Sequence, residues 1–302
     1  MYMHFLKTHY FFVSLMVFVG CTSSNNENKD PNDTKESSTI NIEAVDSLEK
    51  ESQHIEDIYL NVPSPMVSAI ILDNAGAVYD YNLPLAPNIG HKYQTSDEQA
   101  IILGVYGTDL NYSVVSDETM ETELYFKSIN LLGEKLGLNN ILNEDIKSRV
   151  DNNIHRIDSM QVIISTLFWE VESTLKENER NDISALVVAG GWIEGLYIAS
   201  QLSLQIPNNK SVTDLICKQK YSMESLISLL NSNEYSDHIN EKLLNPLNNL
   251  KFIFDEIKET VNSEEADINI QSINDNIQLS YDQKTIDQIR NSIQQIREDI
   301  IH

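Results

Sequence analysis

The sequence is poor in several residue types, and each shortage excludes something. Two cysteines, Cys21 and Cys217, occur in 302 residues. That is too few for a disulfide framework, and no C-x-x-C spacing offers a thiolate metal site. With 10 glycines and 7 prolines, the turn residues that a many-stranded fold consumes are scarce, and no β-hairpin signal stands out. Basic residues are outnumbered: 21 Lys and Arg against 46 Asp and Glu give a net charge of −25. Nucleic acid and anionic lipid surfaces are polyanions, so this balance disfavours both as electrostatic partners. Catalytic signatures are missing too. There is no H-E-x-x-H, no G-x-S-x-G and no G-x-x-x-x-G-K, hence no case for a zinc protease, a nucleophile elbow or a phosphate loop. Neither a metal nor another cofactor is expected. Glu51 and His54 form a lone E-x-x-H where a di-iron bundle needs two, and Asp151 with His155 reads as a solvated helix face.

What is present begins with an address. Residues 1–20, MYMHFLKTHYFFVSLMVFVG, join a lysine to an apolar run too short to span a bilayer, the pattern of a signal peptide. Phe18-Val19-Gly20-Cys21 resembles the bacterial lipobox, with phenylalanine where leucine is usual. The resemblance implies that Cys21 is acylated, becomes the mature N-terminus and is held at a membrane by its acyl chains. Thr22, a non-acidic residue after the cysteine, points by the same resemblance to an outer membrane. Residues 21–54 are rich in Ser, Asn, Asp, Glu and Lys and read as a disordered tether. Residues 55–302 read as one domain. Cys217, far from any activating pattern, is expected to be a buried core thiol.

The domain is expected to be all-α, a bundle of eight or nine helices. A short helix is expected at 66–74 and a loop at 80–95, where Pro84, Pro87 and Gly90 cluster. Ser96 and Gln99 fit a capping box for a helix reaching Val115. Apolar residues recur by threes and fours through 117–136, through 143–177 with a break near Asn152-Asn153, through 211–230, and through 237–261 with a break or kink at Pro246. A loop is expected at 262–281. The last helix, from Asp282, carries Ile286, Ile289, Ile293, Ile296 and Ile300 as a heptad seam packed back onto the bundle.

The chain is organised around 181–207, the most apolar stretch after the N-terminus, with Asp182 as the expected N-cap. Small residues at helical spacing, Ala185, Ala189, Gly191, Gly195 and Ala199, call for a close backbone neighbour. Gly104 and Gly190 lie in two apolar, glycine-bearing helices that can cross at these glycines. Each helix carries a single acidic residue within its apolar run. Tyr106, Asp109 and Tyr112 stand on one; Trp192, Glu194 and Tyr197 stand on the other. A carboxylate in such a place must be paired, protonated or turned to a wet cavity. Aromatic rings beside it suit a small cationic or sugar-like ligand. The alternative is a structural pairing with a buried hydroxyl or with an arginine such as Arg156 or Arg180.

Leu103–Tyr112 (LGVYGTDLNY) and Ala185–Ala199 (ALVVAGGWIEGLYIA), behind a lipobox, resemble a group of uncharacterised lipoproteins from Bacteroidota-type bacteria. That resemblance implies a helical body in the cell envelope and no catalytic residue. The expected function is therefore non-enzymatic, binding or assembly by a body anchored to a membrane through lipid. The alternative is a ligand sensor or enzyme with a pocket between helices 97–115 and 182–205.

Overall fold

The computed structural model describes residues 77–207, 209–261 and 277–302. The expected signal peptide, Cys21, the tether and the helix expected at 66–74 lie outside the described residues.

Among the described residues the fold is all-α, nine helices with one two-stranded sheet. A 3-10 turn, Pro87–Lys92, precedes α1, Ser96–Val115. The cap of α1 lies one residue earlier than expected. The Thr95 hydroxyl accepts the Glu98 N–H at 3.2 Å, and the Glu98 carboxylate accepts from Gln94 N and Thr95 N at 3.0 and 3.1 Å. A charged acceptor takes backbone N–H groups more strongly than an amide does. Gln99 instead donates to the carbonyls of Tyr93 and Gln94.

Then come α2 (Thr119–Lys135), α3 (Glu144–Asn153), α4 (Ile157–Glu177), α5 (Asn181–Leu202) and α6 (Lys210–Asn231). Asp182 does not cap α5. The helix starts one residue before it, behind Arg180, which gives no side-chain cap. Asp182 stays in the first turn, where its charge still favours the helix N-terminus.

Pro246 does not break its helix. The stretch runs from α7 (Asp237–Ile239) through a π-helical turn (Asn240–Leu244) into α8 (Asn245–Asp255). Proline has no N–H to offer the Lys242 carbonyl. The Asn245 N–H reaches back five residues to the Asn240 carbonyl, and the helix absorbs the fault as a π-turn. The helix expected to reach Val261 stops at Asp255. Lys258–Val261 forms β1 and pairs antiparallel with β2, Ile277–Ser280, in place of part of the expected helix and loop. Lys220 of α6 holds this sheet, donating to the Ile257 carbonyl at 2.9 Å and pairing with Glu259 at 2.7 Å. α9, Gln283–Ile301, closes the described chain; the Asp282 carboxylate caps it by accepting the Thr285 N–H at 2.8 Å.

The core is built on the crossing of α1 and α5. A Cβ on Gly104 would strike the Val187 carbonyl, and one on Gly190 would strike the Ile101 carbonyl. The glycines are there because backbone meets backbone. Gly191 shares this contact, its backbone N 2.7 Å from a Cβ placed on Gly104, and Gly195 does not. A Cβ on Gly195 would come no nearer than 3.9 Å to Thr108, an ordinary separation. Among the described residues α5 is the one helix long and apolar enough to cross a membrane, and most of that stretch is buried by its neighbours. These include α1, α6 and α9. The five isoleucines of the α9 seam are all buried against the body; each such side chain contributes roughly 1.5–3 kcal/mol of transfer free energy. Cys217 is fully buried, and burial pushes its thiol up to about 12.

Candidate functional site

The crossing brings Asp109 and Glu194 together, and both are wholly removed from solvent. Their partner is neither Arg156 nor Arg180. Arg180 donates to the Leu136 carbonyl at 2.6 Å. The cation is Arg297 of α9. Its Nε donates to Glu194 Oε2 at 2.6 Å and its Nη2 to Glu194 Oε1 at 2.8 Å, a two-pronged pair. Nη2 also donates to the Leu83 carbonyl at 2.9 Å. The guanidinium lies 4.2 Å from the Tyr197 ring centroid, so its flat face is covered as well.

Asp109 has less. Its Oδ2 accepts the Leu85 N–H at 3.1 Å, while Oδ1 receives no N–H or O–H from any described group. Two buried carboxyls beside one arginine cannot both ionise cheaply. Burial pushes Asp109 well above its ordinary value, and the neighbouring charge of Glu194 pushes it further. Burial pushes Glu194 up too, but Arg297 and a hydrogen bond from Asp109 pull it back. Of the two carboxyls Asp109 is therefore held the more strongly toward its neutral form, while Glu194 keeps its charge against Arg297. Burial acts against the charge on Arg297, but the charge and hydrogen bonds of Glu194 outweigh it and hold the guanidinium above its ordinary value.

The other singled-out side chains are occupied. The Tyr106 hydroxyl donates to the Ala86 carbonyl at 2.9 Å. The Tyr112 hydroxyl accepts the Asp80 N–H at 2.9 Å, and burial pushes it up to about 12. Both tyrosines thus pin residues 80–86, the strap that also supplies Leu83 and Leu85. Tyr79 covers Tyr112 with ring centroids 4.4 Å apart. Trp192 faces elsewhere: its indole N–H donates to Ser222 of α6 at 2.9 Å. The crossing gathers Asp109, Glu194 and Tyr197 around Arg297, and sends Tyr106, Tyr112 and Trp192 to neighbouring elements. The arrangement can store a proton between two carboxyls, but both oxygens that would act on a substrate are sealed by packed side chains.

Sequence reasoning missed Arg297. One signal was available: Arg290 and Arg297 stand seven apart and flank the isoleucine seam, so both face α5. Arg290 donates to the Ser200 carbonyl at 3.0 Å. Compared with protein-family models, curated proteins and solved structures, the chain matches none.

Proposed function

We propose that the chain is a lipoprotein of the cell envelope, anchored through an acylated Cys21, whose helical body binds or assembles and does not catalyse. The observation that carries the reading is the run Phe18-Val19-Gly20-Cys21 behind a short apolar segment and before a polar tether. The acidic composition suits a body held off a membrane surface by its tether. Thr22 favours an outer-membrane location. Burial of Asp109 and Glu194, with Glu194 paired to Arg297, weighs against a catalytic role for these two carboxyls. Similarity to Bacteroidota-type lipoproteins remains part of the same proposal.

Labelled palmitate tests it. The wild-type chain is expected to take up label and to fractionate with membranes; Cys21→Ala is expected to lose both. Label that persists in Cys21→Ala would remove the anchor. The second reading places a ligand among Tyr106, Asp109, Tyr112, Trp192, Glu194 and Tyr197. The complete burial of Asp109 and Glu194 weighs against it.

A further inference from the structure

The body opens at the amino end of α1, into a cavity of about 190 Å³. Its floor is apolar and buried: Tyr93, Ile101, Ile239, Leu243 and Ile300. Its mouth is polar, with Lys92, Lys242, His238 and His302 beside Glu98. Four separate elements supply these groups: the 3-10 turn, α1, the α7–π-turn segment and α9. The π-turn forced by Pro246 carries both Lys242 and Leu243, and irregular turns of this kind recur where helices build sites.

The charges at the mouth are unevenly engaged. Lys127, Lys147, Lys176, Lys210, Lys220 and Lys251 each hold a carboxylate. Lys92 and Lys242 hold none among the described residues, as Lys135, Lys218, Lys258 and Lys284 hold none, but Lys92 and Lys242 stand together at one cavity. Glu98, the acidic side chain of the mouth, already accepts two backbone N–H groups in the α1 cap. Two uncommitted ammonium groups therefore stand over an apolar floor. An aliphatic cavity of roughly 150 Å³ holds a benzene ring. The present volume takes such a body with a carboxylate added.

We propose that this cavity binds a small monocarboxylate with an apolar body of about benzoate size, the body on Ile101, Leu243 and Ile300 and the carboxylate between Lys92 and Lys242. The site gives the binding role a ligand class and requires nothing of Cys21.

The test titrates the full chain with benzoate, benzamide and benzylamine at fixed ionic strength, read by calorimetry. Benzoate is expected to bind saturably in the millimolar range or tighter, and benzamide and benzylamine at least about ten-fold more weakly. Lys92→Met and Lys242→Met are each expected to weaken benzoate about ten-fold while the melting temperature stays unchanged. Benzamide or benzylamine binding as well as benzoate, an absence of saturable benzoate binding, or full benzoate affinity in both lysine variants would overturn the site. A failed palmitate label leaves this titration standing, and a failed titration leaves the label standing.

Discussion

Arg297 and Ile300 stand one turn apart on α9, yet the two regions they serve use charge in opposite ways. At the crossing of α1 and α5, every charge is buried and answered: Arg297 by Glu194, and Glu194 by Arg297. At the amino end of α1, the lysines stand at an open mouth with no carboxylate of their own. The first region is set by the cost of burying charge, which is several kcal/mol per unpaired ion. The second costs the fold almost nothing, because water answers those ammonium groups. Disturbing the first should unfold the protein; disturbing the second should leave it folded and change what it holds.

The sharpest way to break this contrast is Arg297→Ala. It leaves Glu194 ionised without a partner in the core and is expected to cost about 3–5 kcal/mol, measured by urea denaturation. Arg297→Lys keeps the charge but loses the fork, and should fall between. Gly104→Ala and Gly190→Ala come next, at about 3 kcal/mol each, because a methyl group meets a carbonyl that cannot move aside. Gly195→Ala, with room for its methyl, should instead gain about 0.5–1 kcal/mol from helix propensity.

Asp109→Asn probes the stored proton. A carboxyl whose folded value is raised contributes its stability below its ordinary 3.8 and loses it as pH rises toward the folded value. The wild type should therefore lose ground to Asp109→Asn steadily above about pH 4, and the variant should be the more stable at pH 7. Melting temperatures of the two chains across pH 4–8 check this; parallel curves would show that Asp109 is not the proton holder. The smallest effect belongs to the cavity. Lys92→Met and Lys242→Met should change unfolding free energy by less than about 0.5 kcal/mol. A larger loss would mean that these lysines serve the fold after all.

The parts legible in the sequence are those where one residue type is out of place. Glycines inside apolar helices announced the crossing, and a lone acid in each apolar run announced Asp109 and Glu194. Arg297 was illegible because it looks like any charged residue beside an amphipathic seam; only the docking of α9 on α5 turns it inward. The α1 cap was displaced by one because Thr95/Glu98 and Ser96/Gln99 are overlapping boxes, and composition alone does not rank their acceptors. The β1–β2 pair is four residues against four, held partly by Lys220 from α6, so its cause lies outside its own sequence. Pro246 announced a fault, but the expected break or kink is a π-turn instead, because which donor finds the orphaned carbonyls decides between them.

The pairing of Glu194 with Arg297 also sets a clock on biosynthesis. The two residues are 103 positions apart, so at ribosomal speeds of about 5–20 residues per second the glutamate emerges roughly 5–20 s before its counterion. Through that interval the nascent chain holds a carboxylate it cannot bury, and its central helices stay unlocked until translation reaches α9.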